Sequence, residues 1–319
     1  MQRKSLWLMV SLCLCLGMVW FPLDTQAQKK RLIAHEWGTF TTHVDVNGVV
    51  QTWNPLNAPR DLPGFVRVYH PKNGIQGTVR METPVIYFYT SKKMTVSVDV
   101  EFPNGQISEF YPDTSFRGHG IGWKNCLIDP TAEPNFLKES EESHYYPARE
   151  TDAVPVRVKK ASTGEQLEKF LFYRGVGTFD LPLGVRLDGN QFVVKNNGTE
   201  PIAKVAVFEN REGKAGFAIR DLATEELRIE RPALETQSLE VFKTEIETLL
   251  VANGLYEKEA KAMIKTWNDV WTAEGLRVFY LIPRQTTDKI LPLKITPAPA
   301  ELVRVMVGRV EVQEGTKME

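Results

Sequence analysis

An imidazole beside a carboxylate can act as a general base or a metal ligand near neutral pH, so histidine and carboxylate neighbours come first. His35 and Glu36 open the segment Ala34-His35-Glu36-Trp37-Gly38-Thr39-Phe40-Thr41-Thr42-His43-Val44-Asp45. Adjacent side chains on a strand point to opposite faces, so only one of His35 and Glu36 can line a given pocket. His35, His43 and Asp45 share parity, but residues eight apart on a strand lie roughly 26 Å from each other, too far for one metal ion. His43 and Asp45 adjoin Asn47-Gly48 and read as solvent-facing hairpin residues.

A second cluster, His144-Tyr145-Tyr146-Pro147-Ala148-Arg149-Glu150-Thr151-Asp152, follows the acidic run Glu139-Ser140-Glu141-Glu142 and has no clear helix or strand period. Loops on a rigid scaffold carry sites, and His144 with Glu150 or Asp152 has the right groups for acid, base or ligand chemistry. The plainer alternative is a surface loop in which Arg149 pairs with Glu150 or Asp152. In Phe116-Arg117-Gly118-His119-Gly120-Ile121-Gly122-Trp123 the glycines predict a flexible loop carrying His119, with a mobile lid as the functional alternative. Arg174 and Arg284 are guanidinium forks that could hold a carboxylate or phosphate. Glu274, at a helix end, is a candidate acid or base, or the salt-bridge partner of Arg277 or Arg284. The sequence contains no Gly-x-Ser-x-Gly, no His-Glu-x-x-His and no cysteine pair for zinc, so it specifies neither a metal nor a cofactor.

The elements that must position these residues are mainly strands up to about Arg231. Thr95 to Glu101 alternates polar and apolar residues, and shorter runs recur at 85–89, 154–158, 170–173, 205–208 and 227–229. Asn47-Gly48, Asn104-Gly105 and Asn197-Gly198 each predict a tight hairpin. The stretch 192–207 resembles a hairpin common in immunoglobulin-like sandwiches. After Pro232 the period changes to that of a helix. Leu239, Phe242, Ile246, Leu249 and Leu250 share one face behind Ser238 as N-cap, and Ala260, Met263, Ile264, Trp267 and Trp271 form the stripe of a second helix. Strand character returns at 276–282 and 302–310. The reading is a mainly β, sandwich-like body over 28–312 with an antiparallel helix pair inserted at about 236–274, α+β overall, and a frayed tail at 313–319.

The first 27 residues read as a cleaved secretory signal. Arg3 and Lys4 precede an apolar run from Leu6 to Phe21, and Thr25 and Ala27 are small residues at a cleavage site. Processing would leave no stable membrane span and would remove Cys13 and Cys15, so that Cys126 alone remains and no internal disulfide forms. The 319-residue chain has a net charge of -1, and loss of Arg3, Lys4 and Asp24 makes it -2, which argues against a nucleic-acid partner.

His-Glu-Trp-Gly-Thr-Phe-Thr from His35, Met-Glu-Thr-Pro-Val-Ile-Tyr-Phe-Tyr (Met81 to Tyr89), His-Tyr-Tyr (His144 to Tyr146) and Phe-Tyr-Arg-Gly-Val-Gly (Phe172 to Gly177) resemble segments of a family of exported bacterial proteins. The resemblance runs through most of the mature chain. It implies a periplasmic or secreted setting and transfers no catalytic residue.

Two functions remain open. One is a ligand-binding or structural β-rich module of the envelope, taking a small polar ligand or a glycan, with His119, Tyr145, Tyr146, Arg149, Arg174 and Arg284 as binding residues. The other is an envelope hydrolase acting on such a substrate through His35, Glu36, His144, Glu150, Asp152 and Glu274, with or without a metal. Convergence of His35, the His144 loop and Glu274 or Arg284 on one cleft would favour the hydrolase.

Overall fold

The computed structural model describes residues 31–314 except 53–60, 70–75, 140–142, 161, 223–225 and 236–237. The predicted signal segment and the residues from 315 onward lie outside the described residues. The strands of the first half are β1 (Ile33–Asp45), β2 (Val50–Gln51), β3 (Arg67–Val68), β4 (Val79–Tyr89), β5 (Met94–Glu101), β6 (Gly105–Tyr111), β7 (Ser115–Phe116) and β8 (Gly120–Ile128). A 3-10 turn at Tyr146–Arg149 precedes β9 (Val156–Lys160), β10 (Gly164–Glu168), β11 (Leu171–Gly177), β12 (Leu183–Asp188) and β13 (Gln191–Asn196). Then come β14 (Lys204–Arg211), β15 (Lys214–Asp221), β16 (Glu226–Glu230) and the helices α1 (Ser238–Ala252) and α2 (Glu257–Trp271). The chain closes with β17 (Gly275–Leu281), α3 (Arg284–Ile290), β18 (Leu293–Thr296) and β19 (Glu301–Gln313).

These strands form a ten-stranded sheet, in the order β15-β14-β17-β19-β1-β4-β11-β6-β3 with β2 beside β1, a six-stranded sheet and a three-stranded sheet. The protein is mainly β and sandwich-like, with α+β content, as the alternation of apolar residues predicts. One apolar core joins Phe40, Ile86 and Leu171 of the large sheet to Val98, Trp123 and Val156 of the second and Phe192, Val194 and Ile229 of the third. Helices α1 and α2 cover the opposite face of the large sheet, where Trp37, Tyr87, Phe172 and Phe279 meet Phe242, Met263, Trp267 and Trp271. Lys261 Nζ lies 3.7 Å from Glu247 Oε1, each seven residues from Gly254, as antiparallel neighbours require.

β1 is the middle of this arrangement. It pairs in parallel with β19 over thirteen residues and antiparallel with β4. Covered on both sides, it reads as a nearly continuous buried run rather than a half-buried alternation. His35 and Glu36 do face opposite ways: His35 toward the helices, Glu36 into the sandwich core. There Glu36 accepts from the Tyr173 hydroxyl and, at 2.5 Å, from Arg304 Nε. Arg304 continues to Asp288 at 2.7 Å and to the Leu291 carbonyl at 2.8 Å.

Three turn expectations need correction. Asn104-Gly105 and Asn197-Gly198 do not close hairpins, because β5 and β6, and likewise β13 and β14, belong to different sheets. The apolar residues on either side of each turn meet across the core instead of along a ladder. Gly105 is there for close approach, since a Cβ would lie 2.2 Å from the Phe102 ring. The immunoglobulin-like hairpin over 192–207 is therefore absent. The glycine-rich segment around His119 is a pinned turn, not a flexible loop or a lid. It joins β7 to β8, the His119 ring bonds the Gly105 carbonyl, and the His119 and Gly118 carbonyls accept from Phe102 and Ile107. Of the predicted frayed tail, Gln313 is paired in β19 and Glu314 bonds Arg231; the rest lies outside the described residues.

Removing one member of a fully buried ion pair strands the other. Glu36→Gln should therefore lower the free energy of unfolding by about 3 to 5 kcal/mol, read from urea denaturation followed by tryptophan fluorescence.

Candidate functional site

His35 is a tie between β1 and the first turn of α2. Its Nδ1 donates to Glu259 Oε2 at 2.8 Å, Tyr89 OH donates to Glu259 Oε1 at 2.9 Å, and the Tyr256 amide donates to Oε2 at 2.8 Å. The buried Glu259 carboxylate is satisfied by three donors and by the positive end of the helix.

His144 lies at the other end of the same helix. Its Nδ1 is 3.0 Å from Asp61 Oδ2, and its Nε2 is 2.9 Å from an oxygen of Asp269. Ten helical residues separate Glu259 from Asp269, which places the two histidines' partners roughly 15 Å apart along the axis. Asp61 in turn receives a bidentate fork from Arg174, with both N–O distances 2.8 Å. Trp267 underlies the group, its ring centroid 5.6 Å from the Arg174 guanidinium carbon and 5.3 Å from the His144 ring. We call this set, formed by Asp61, His144, Arg174, Trp267 and Asp269, the polar corner.

The protonation states follow from these contacts. Hydrogen bonding to Asp61 raises the His144 pKa above the ordinary histidine value, burial opposes the rise, and Asp269 adds to it. Burial alone would raise Asp61, but the Arg174 charge and the bonds from His144 and Arg174 hold it well below the usual carboxylate range. A ring with a carboxylate at each nitrogen has no bare nitrogen to offer, so His144 stands as an imidazolium donating twice.

Beyond the corner, the helix side of β1, β4 and β19 stays polar under cover. Glu82 accepts from Thr41 at 2.7 Å and lies 3.5 Å from both Arg80 and Arg309. Arg174 Nε and Trp267 Nε1 are buried donors without a hydrogen-bond partner among the described residues. The segments from His35, Met81 and Phe172 lie on β1, β4 and β11, successive strands of the large sheet, and His144 reaches Arg174 of β11 through Asp61.

The remaining predicted residues do not join this set. Glu150 and Asp152 are exposed and pair with Lys265 and Lys258 of α2, each at 2.6 Å. Arg149 pairs not with them but with buried Glu168, which also accepts from Tyr145 OH at 3.0 Å. Tyr146 accepts from the Glu139 amide and lies under Arg149. Glu274 accepts from the Glu212 amide at 2.9 Å beside a polar cleft of about 410 Å³. Its carboxylate pairs with neither Arg277 nor Arg284: Arg277 bonds Glu311 and donates to the Glu274 main-chain carbonyl at 3.0 Å, and Arg284 bonds Asp288 and the Leu302 carbonyl. His35, His144, Glu274 and Arg284 thus sit at separate points. Cys126 is buried in the core, and burial pushes its thiol up to about 12, so it is inert. No group of three or more His, Cys, Asp or Glu suited to a metal ion occurs among the described residues. No described helix is long and apolar enough to cross a membrane.

Asp61, Glu82 and Asp269 carry no spacing signal in the sequence, and Trp267 reads as core. It is core, yet one face of it supports the corner.

No protein-family model matches the chain, and no curated protein does. Among solved structures it is similar to the Fcho1 Mu homology domain (Danio Rerio) with bound Eps15 peptide, at 7% identity and a TM-score of 0.31, covering 90% of this chain and 96% of that one.

Because the folded His144 pKa is raised, its bonds stabilise the fold fully below the unfolded value of about 6.5, and that contribution is lost as pH rises through the folded pKa. The deficit of His144→Gln relative to the parent should be on the order of 1 kcal/mol at about pH 5 and should shrink as the pH rises above about 6.5, measured by thermal melts across the range.

Proposed function

We propose that the chain is an exported module of the bacterial envelope that binds a small polar ligand such as a glycan at the polar corner. The observation that carries this reading is the closed pairing of its acid and base groups. Asp61 is clamped by Arg174 and held ionised, which makes it a feeble base, and the His144 ring has both nitrogens engaged by carboxylates that favour its protonated form. The corner is half open, with the side chains of His144, Asp61 and Asp269 exposed by 23, 21 and 67%. Fixed charges that remain accessible suit recognition by hydrogen bonds. The accessible carboxylate oxygens of Asp61 and Asp269 favour a ligand rich in hydroxyl donors.

A hydrolase would need a free carboxylate or a neutral histidine facing a second catalytic group. His35, Glu36, Glu150, Asp152 and Glu274 are each engaged elsewhere, on different elements. The charge balance near zero agrees with a polar ligand rather than nucleic acid.

The test is calorimetric titration of the mature protein with a panel of soluble cell-wall glycans, with parallel assay of new reducing ends. We expect saturable binding, weakened about tenfold by Asp269→Asn, without turnover; tenfold corresponds to about 1.4 kcal/mol. Release of reducing ends that disappears in His144→Gln would overturn the binding reading in favour of hydrolysis.

A further inference from the structure

A second cavity, of about 520 Å³, lies between the C-terminal half of α1 and the β14-β17-β19 part of the large sheet. Protein interiors are close-packed, and a gap of this size falls in the range of small-molecule sites. Its origin can be read in the residues. Where β14 presents Phe208, that ring meets Phe242 of α1 at 4.7 Å and the helix sits tightly on the sheet. Two residues earlier β14 presents Ala206, and the helix bridges the shortened side chain without filling the space. Ile246, Leu249 and Leu250 form the roof on one helix face, and Phe279, Leu281, Val303 and Val305 line the floor on alternate strand positions.

The charged residues lining this space are Lys204, Arg284 and Arg304, and no acidic side chain is among the lining residues. Arg304 is committed to buried Glu36 and to exposed Asp288. Arg284 stands at the mouth, where it donates through Nε to Asp288 and through Nη1 to the Leu302 carbonyl; its Nη2 has no partner among the described residues. Lys204, at the same end, pairs with exposed Asp221. From Leu302 at the mouth to Val307 at the deep end, five strand residues span roughly 17 Å.

We infer that this cleft binds a single-chain amphiphile with an anionic head, its tail between α1 and the sheet and its carboxylate against Arg284. An apolar slot closed by helix and strands takes the chain, and a guanidinium with a spare N–H takes the head. The site is distinct from the polar corner, since Asn253 at the cleft and Asp269 at the corner belong to opposite ends of the helix pair.

The test titrates the mature protein with dodecanoate, dodecanol and dodecylammonium, chosen for equal tails and different heads. Dodecanoate should bind one per chain, at least tenfold more tightly than the other two. Arg284→Gln should reduce dodecanoate to the affinity of dodecanol. Ala206→Phe should fill the cleft and abolish binding while circular dichroism and melting remain those of a folded protein, and Leu249→Trp from the roof should do the same if Ala206→Phe misfolds. Equal binding of all three amphiphiles, or dodecanoate binding that survives both Arg284→Gln and a folded cleft-filling variant, would overturn the assignment.

Discussion

A strand buried on both faces cannot carry an ionisable residue unless another part of the chain neutralises it, and β1 carries two in succession. Removing a charge from water costs several kcal/mol, so His35 and Glu36 each dictate a partner on the layer they face. For Glu36 that partner is Arg304 on β19, the strand that lies parallel beside it. For His35 it is Glu259 on the first turn of α2. The first described strand is thereby tied to the last and to the helix layer by interactions spanning more than two hundred residues. The rest of the fold is arranged around those ties. The Glu36 pair extends through Asp288 to Arg284, so α3 is also fixed by the same chain of charges.

The same economy governs the candidate chemistry. Nearly every ionisable side chain that looked available in the sequence is used to hold layers together: Arg149 with Glu168 under the 3-10 turn, Glu150 and Asp152 against the lysines of α2, Glu274 on the Glu212 amide. Only at the polar corner, among the predicted residues, do two of them, His144 and Arg174, meet through a shared carboxylate while solvent still reaches the group. Electrostatics there favours fixed charge over proton exchange. The binding role proposed for the corner rests on that fixed and accessible set of charges.

How much of this was legible in the sequence depended on whether the signal was local. The period-two run at 95–101 and the helical stripes of α1 and α2 appear almost where the pattern puts them, because burial of one face leaves a period. The opposite orientation of His35 and Glu36 was readable for the same reason. The asparagine-glycine pairs misled, since a turn motif specifies a change of direction but not which sheet the next strand joins. Strand β8, with Gly120, Gly122 and Lys124 breaking its apolar run, left no clear period. The site was harder still. Asp61 reaches Arg174 across more than a hundred residues, and Asp269 reaches His144 across a similar span, so no spacing rule could pair them.

The central claim is that His144 is a clamped imidazolium and not a base. Its pKa can be measured directly by NMR titration of histidine-labelled protein, with the resonance assigned by loss in His144→Gln. The account predicts a midpoint above the ordinary value of about 6.5 that falls when Asp61 is replaced by Asn. A midpoint at or below that value, unmoved by Asp61→Asn, would contradict it.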